Sequence, residues 1–362
     1  MYSQTPNTLS NYEPDLVSVI IPTYNRVALL VEAIESVRRQ TWTKVQIIVV
    51  DDGSTDGTRV KIEAMQDVQY IWQENRGQAA ARNRGLREAR GEFICTLDSD
   101  DLWFPHFLKE SISAIKEQDL DFVFSNWFRQ NKDGSQIRSY FETDFPWWKE
   151  ALSERAQWRL LKSETIREYI QFKCCAPSSA FVFRRNLISE GWQESVKITD
   201  DWALLQDILI AKQCRVGVFM PRSWVKRVNS DNICDVETTK VKRAMEIDSP
   251  QRLLRKNHKL LSKRERSRIN RRLAISALAL LKKETGSGNN VIRNATDFCM
   301  ATFFAFATAP IESFSKLMNR GVYLVEEPSS EDLLKENLLE PPDQILFSEL
   351  DIPVQHSDLA TL

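Results

Sequence analysis

The chain has 362 residues, 49 Lys and Arg against 50 Asp and Glu, and a formal net charge of −1, enough length for one large domain with something smaller beside it and no electrostatic case for a nucleic-acid partner. Its six cysteines (Cys95, Cys174, Cys175, Cys214, Cys234 and Cys299) include no C-x-x-C pair, which argues against a zinc site or disulfide framework and suits a reducing compartment. The polar start, Met1 to Glu13, lacks the apolar core of a signal peptide, and no apolar run reaches membrane-spanning length, so the expectation is a cytoplasmic protein without a transmembrane span.

Val17 to Ile21 is a continuous apolar run ended by Pro22, the pattern of a strand covered on both faces, as in parallel sheets. Val27, Leu30, Val31, Ile34 and Val37 follow at helical spacing. Val45 to Val50 is a second strand, closed by the Asp51–Gly57 loop, in which Asp56 is placed to cap the next helix. Val68 to Trp72 is a third strand, Gly77 to Arg90 a helix and Phe93 to Leu97 a fourth strand. That fourth run stops at three carboxylates, Asp98, Asp100 and Asp101. Asp98 and Asp100 can converge in a tight turn, and two anions converge cheaply only around a cation such as Mg²⁺ or Mn²⁺. The bland reading is an acidic surface turn, since a lone D-x-D occurs about once by chance in a chain of this length. Pro105 suits the first turn of the helix beyond. Strand and helix alternating in this rhythm predict a parallel sheet with right-handed crossovers. Ligands of such sheets bind beyond the carboxyl ends of the strands, so Pro22–Arg26, Asp51–Gly57 and Asp98–Asp101 gather on one rim.

Further on, Phe122 to Phe124 reads as a strand, Lys132 to Ser135 as a hairpin turn and Ser179 to Phe183 as another strand. Aromatics between Phe141 and Trp158 read first as core fillers and second as platforms for sugar rings. Asp200 and Asp201 lead into a helix with Leu204, Leu205, Ile208 and Leu209 on its apolar side, and Arg215 to Phe219 is the last short strand. Beyond Asp235 the pattern is helical. Between Arg252 and Arg272 it is dense in Arg and Lys, with Glu265 the only acid. The simplest account is a solvated helical face; the sharper one is contact with anionic lipid headgroups, helped by the apolar stretch 298–311. Gly286 to Gly288 breaks the helix before that stretch, and the acidic, Pro-containing tail is expected to be extended or disordered. His106, His258 and His356 are isolated and read as surface residues.

A rim with a carboxylate pair fit for a metal calls for a phosphate partner, because Mg²⁺ and Mn²⁺ usually bind through one or two carboxylates plus substrate phosphates. Asp51 and Asp52 offer acceptors for a base or ribose; Arg76, Arg82 and Arg84 offer positive charge for a diphosphate. Neither a P-loop nor a G-x-G-x-x-G is present. The residues by themselves therefore point to a metal-dependent nucleotide-diphosphate site on a parallel sheet.

Val17–Arg26, Val50–Gly57, Asn75–Gly85 and Leu97–Asp101 resemble, in order and spacing, the successive signatures of family 2 glycosyltransferases. The resemblance is strong over residues 15–105, looser to about 235 and weak beyond. It implies an α/β GT-A fold, Rossmann-like, with a mainly parallel sheet flanked by helices and a C-terminal helical appendage. The implied division is a flexible lead (1–14), a glycosyltransferase domain (15–235) with nucleotide-binding (15–105) and acceptor (106–235) halves, a helical appendage (236–325) and the acidic tail (326–362). The implied reaction is inverting transfer from a nucleotide-diphosphate sugar, UDP being the commonest nucleotide, to a glycan, lipid-linked or small-molecule hydroxyl, in the making of cell-surface glycans. Matching positions make Pro22, Thr23, Tyr24, Asn25, Arg26, Asp52, Gly53, Asn75, Arg82, Asp98 and Ser99 nucleotide-binding, Asp100 the ligand of Mn²⁺ or Mg²⁺, and Asp201 the base with Asp200 second. Where many relatives carry Arg-x-His, this chain has Arg227-Val228-Asn229, and Asn cannot replace imidazole as a nitrogen ligand. That departure motivates the alternative of a nucleotide-sugar-binding protein without turnover.

Overall fold

The computed structural model describes residues 12–131, 136–137, 157–228 and 239–283. The expected turn at 132–135, the aromatics before residue 157, Asn229, the break at 286–288, the apolar stretch 298–311 and the acidic tail lie outside the described residues. The chain packs as two compact units. Among the described residues, the first holds those up to Trp127 with Ala176–Lys197 and Val216–Arg227; the second holds those within 128–175, Ile198–Arg215, Val228 and 239–283.

The strands are β1 (Glu13–Thr23), β2 (Val45–Asp51), β3 (Val68–Trp72), β4 (Gly91–Thr96), β5 (Leu102–Trp103), β6 (Phe122–Gln130), β7 (Gln136–Ile137), β8 (Trp158–Leu161), β9 (Phe181–Arg184) and β10 (Val216–Arg227). The helices are α1 (Val27–Arg38), α2 (Thr58–Glu63), α3 (Gln78–Glu88), α4 (Phe107–Glu117), α5 (Ser163–Ile170), α6 (Asp200–Ala211), α7 (Thr239–Arg243), α8 (Ser249–Asn257) and α9 (Lys263–Lys283), with a π-helical turn at Ala244–Asp248.

The first unit is an α/β sandwich on a sheet of order β3-β2-β1-β4-β9-β6-β10-β5. β1 lies parallel between β2 and β4, and β3 parallel beside β2. Every residue of β1 from Val17 to Thr23 is buried, as the unbroken apolar run requires. Within the run Ser18 is polar; it donates to Gln46 Oε1 at 2.7 Å and accepts from Gly91 N at 2.9 Å, so its burial leaves its hydroxyl satisfied. Beyond β4 the sheet turns antiparallel, through β4–β9, β9–β6 and β10–β5. Phe122, Phe124, Phe181 and Phe183 fill this half with tilted and stacked ring pairs, joined by stacked Trp127 and Trp224.

Three elements differ from expectation. β6 and β10 run well past the apolar runs at Phe122–Phe124 and Arg215–Phe219. β10 continues through Pro221 because pairing rescues it: Trp224 and Val225 face Trp103 and Leu102 of β5, and Phe104 N donates to Ser223 O. Pro105 precedes α4 by two residues, and its carbonyl instead accepts from Thr41 N at 2.8 Å.

In the second unit, β7 closes a hairpin on the end of β6, with Arg129 opposite Ile137. Ile210, Ile247, Leu253, Leu261, Ile269 and Leu273 form the unit's helical core. The basic stretch 252–272 is not uniformly solvated. Arg252 and Lys256 pair with Asp207, Arg268 is 8 % exposed and meets Glu168 at 3.0 Å, and Arg272 meets Glu246 at 3.1 Å. α9 starts with a reciprocal cap, in which Ser262 N donates to Glu265 Oε2 and Glu265 N to Ser262 Oγ. Among the described residues no helix is long and apolar enough to cross a membrane.

α3 packs directly on β1 and β2, and Gly85 lets it approach. A Cβ at Gly85 would stand 2.4 Å from Ile20 Cγ2. Gly85→Ala is therefore expected to cost about 1–3 kcal/mol in denaturant unfolding. The cost should shrink in an Ile20→Ala background, where the clashing atoms are gone. Equal costs in both backgrounds would contradict the contact.

Candidate active site

Parallel pairing sets the ends of the first unit's strands side by side: Thr23 is the register partner of Asp51, and Ile20 that of Thr96. The loops leaving these ends are tied to one another. Asn25, in the left-handed region at φ 52°, donates its N–H to Ser54 Oγ and accepts from Thr55 N at 2.7 Å. Asp56 accepts from Thr58 N and Oγ at one oxygen and from Val27 N at the other, so it serves the starts of both α1 and α2. Burial works against its charge, but these hydrogen bonds outweigh it and hold the carboxyl below its usual range.

The two aspartates after β2 divide their work. Asp51, expected to offer acceptors to a ligand, is turned inward instead, taking Ser54 N at 2.8 Å and the Tyr70 hydroxyl at 2.7 Å. Asp52 accepts from Gln73 Nε2, Arg76 N and Gly77 N at 2.7–2.9 Å, fastening the loop before α3 to the rim. Gly53 follows them at φ +92°, where a Cβ would also meet Asn75 N at 3.2 Å. Pro22 is buried, Asn75 is exposed and Tyr24 is 50 % exposed. Thr23 is 4 % exposed, and its hydroxyl bonds to no described residue.

The acidic turn after β4 is held from three sides. Arg82, 2 % exposed, pairs through Nη2 with Asp98 Oδ1 at 2.8 Å, and Arg26 Nη1 pairs with Asp100 Oδ2 at 2.7 Å. Asp101 is fully buried; it accepts the Ser179 hydroxyl at 2.6 Å and Arg227 N at 3.3 Å. Ser179 Oγ in turn accepts from Asp98 N, and its carbonyl takes Trp103 Nε1 at 2.8 Å. Ser99 is buried in the same turn. Burial, then the Asp98 charge, raises the Asp100 carboxyl above its ordinary range, against the pull of Arg26 and Lys226. Burial raises Asp101 further, with Lys226 opposing.

Sequence reasoning gave no role to Ser179, Asp101 or Lys226. Asp101 was visible as a third carboxylate, but Ser179 stands 78 positions away and only the β4–β9 pairing brings it in. Of the three arginines expected to serve a diphosphate, only Arg82 stands at the acidic turn. Arg76 pairs with Glu194 at 2.8 Å and Arg84 with Glu88 at 3.5 Å, all partly exposed. Arg227 pairs with Glu32 at 2.9 Å. Among the described residues no group of three or more His, Cys, Asp or Glu forms a metal cage. The crowded Asp98–Asp100 pair, with Asp100 reluctant to ionise, nonetheless fits a hard cation completed by phosphate oxygens.

Asp200 and Asp201 belong to the second unit, in the first turn of α6, where the helix dipole favours negative charge. Thr199 enters that turn at φ 68°. Asp200 is fully buried; Asp201 is partly exposed and takes Trp202 N at 2.7 Å. The Trp202 indole N–H donates to Ile170 O at 2.6 Å, fixing the turn against the end of α5.

Residues 18–192 match the family described as Glycosyl transferase family 2. The chain is 40% identical over 132 residues to Glycosyltransferase GlyG of Streptococcus pneumoniae, a match covering 35% of this chain and 43% of that protein. It is 37% identical over 115 residues to the UDP-Glc:alpha-D-GlcNAc-diphosphoundecaprenol beta-1,3-glucosyltransferase WfgD of Escherichia coli, covering 31% and 46%. The matched part thus spans less than half the length of either relative. Among solved structures, S. aureus TarS 1-349 in complex with UDP-GlcNAc superposes with a TM-score of 0.57 at 18% identity, covering 79% of this chain and 81% of that one. The mannosyltransferase PcManGT from Pyrobaculum calidifontis, in complex with GDP-Man and Mn2+, gives a TM-score of 0.51 at 19% identity, covering 86% and 81%. At such identity these two structures speak to the fold alone. Over residues 18–192 the chain is similar to glycosyl transferase family 2, and its fold is GT-A.

Proposed function

We propose that this protein is an inverting glycosyltransferase that moves a sugar from a nucleotide-diphosphate donor to an acceptor hydroxyl in the building of a cell-surface glycan. The observation that carries the reading is the acidic turn after β4, with Asp98 and Asp100 gripped by Arg82 and Arg26 beside the Asp52-fastened loop. UDP is the preferred nucleotide, supported by the UDP-Glc in the name of WfgD and the UDP-GlcNAc bound to TarS.

Pro22, Thr23, Tyr24, Asn25, Gly53, Asn75 and Ser99 line the nucleoside side of this reading, with the unengaged Thr23 hydroxyl available to a ligand. Asp52 and Arg82 position base and ribose, Asp98 takes the ribose side, and Arg26 adds positive charge near the diphosphate. Asp100 would hold Mn²⁺ or Mg²⁺, whose chemistry is to neutralise charge gathering on the departing diphosphate. Asp201 takes the proton of the acceptor hydroxyl as its oxygen bonds the anomeric carbon from the face opposite the leaving group, and the bond to the diphosphate breaks. Asp200 supports it from the same helix turn. The sequence Arg227-Val228-Asn229 favours a second reading, donor binding without turnover.

Purified protein incubated with Mn²⁺ and a panel of nucleotide sugars is expected to release nucleoside diphosphate and, given an acceptor, to form product. Silence across the whole panel, with donor binding intact, would sink catalysis and leave the second reading standing. Asp201→Asn is expected to lower turnover by about 10²–10⁴-fold, with donor affinity by calorimetry unchanged within about two-fold. Asp100→Asn should weaken cation-dependent donor binding itself.

A pH dependence follows from the raised Asp100 carboxyl. Asp100 keeps its proton to higher pH than an ordinary carboxyl, and cation binding must displace whatever proton it holds. Calorimetry in two buffers of different ionisation enthalpy should therefore detect proton release on Mn²⁺ and donor binding. The release should fade as pH rises and vanish in Asp100→Asn.

A further inference from the structure

The turn between α8 and α9 carries features that neither catalysis nor folding of the second unit uses. Arg255, Lys259, Lys263 and Arg264 are exposed and form no ion pair among the described residues, unlike Arg252, Arg268 and Arg272, which are spent on partners within the unit. From Ser249 to Lys283 the one acid is Glu265, and it faces inward. Its Oε1 takes Arg167 Nε at 3.0 Å and Gln171 Nε2 at 2.9 Å, and its Oε2 takes Ser262 N at 2.7 Å. Nothing on this turn offsets the four cations.

At the centre of the cluster stands Leu260, 51 % exposed, while the adjacent Leu261 is 2 % exposed in the helical core. The turn that presents Leu260 is braced. Leu260 N donates to Asn257 O at 2.9 Å, Leu260 O accepts Arg167 Nη2 at 2.9 Å, and Arg266 donates to the carbonyls of His258 and Leu261. An apolar side chain held out on a fixed backbone, with four exposed cationic residues within five positions of it in the chain, matches the interface of an anionic bilayer. The leucine enters the acyl boundary, and the Lys and Arg stems lie along it with their charges among the headgroups.

We infer that the 255–264 turn is a docking knuckle for an anionic lipid surface, with Arg255, Lys259, Lys263 and Arg264 as its electrostatic ring and Leu260 as its apolar tip. The inference is independent of whether the first unit turns over a donor. It narrows the broad basic segment of the sequence to one turn.

The test is flotation of the full chain with vesicles of phosphatidylcholine alone and of phosphatidylcholine with phosphatidylglycerol in equal parts. Binding is expected to the anionic vesicles only and to weaken with added salt. Each cation near an anionic surface contributes about a five-fold change in partition, so Lys259→Glu/Lys263→Glu should reduce binding by more than about twenty-fold. Leu260→Ser should reduce it by about three- to ten-fold. All substituted side chains are exposed, so unchanged thermal melting is expected and separates docking from misfolding. A parallel arm measures retention on immobilised polyphosphate, a soluble-type polyanion without an apolar phase. If both media lose the charge-reversed variant but neither distinguishes Leu260→Ser, the partner is a polyanion and the lipid assignment falls. Absence of binding to anionic vesicles, or binding untouched by charge reversal, overturns the proposal outright.

Discussion

Carboxylates gathered where a buried strand ends are the constraint from which the first unit is organised. Asp98, Asp100 and Asp101 follow β4 within five residues, and the last of them has no exposure at all. Such charge persists only where partners are supplied. The fold supplies them from all over the unit: Arg82 from α3, Arg26 from the loop after β1, Ser179 from the turn before β9, and Lys226 and the Arg227 amide from β10. The partners come from four different parts of the fold, so the sheet order and the acidic turn determine one another. Burial, with the Asp98 charge beside it, keeps the Asp100 carboxyl above its normal range despite Arg26.

Legibility in the sequence followed the physics of burial. The apolar runs of β1, β2 and β4 are buried on both faces, so composition alone marks them, and the helix stripe of α1 is equally plain. The antiparallel half was less readable because β10 owes its length to pairing with β5 and to the buried Trp224, across a proline that a local reading takes as a stop. At the site, residue types gave the carboxylates and the arginines but not their allocation. Asp51 and Asp52 are adjacent and chemically identical, yet one is consumed by Tyr70 and the other anchors the loop before α3. Ser179 carries no local signal whatever, being a serine in the short turn before β9.

The same distinction governs the second unit. Its basic stretch looked homogeneous because charge density says nothing of which way a side chain faces. Packing sorts the residues: Arg268 is buried against Glu168, while Lys259 and Lys263 remain in solvent. Arg167 is the residue that organises this sorting, since it reaches Glu265 and the carbonyls of Ile210 and Leu260. One guanidinium thereby joins α6, the α8–α9 turn and the start of α9.

Asp56 shows how far a single short side chain can bind remote parts of a chain. One of its oxygens serves the helix after β1 and the other the helix after β2, while Asn25 laces the same two loops together. Neither loop is then a free segment whose residues can be added or removed on their own. Lengthening either one would unseat the start of both helices, so over descent the pair can change size only in concert, and the tolerance for insertions must be sought elsewhere on the molecule.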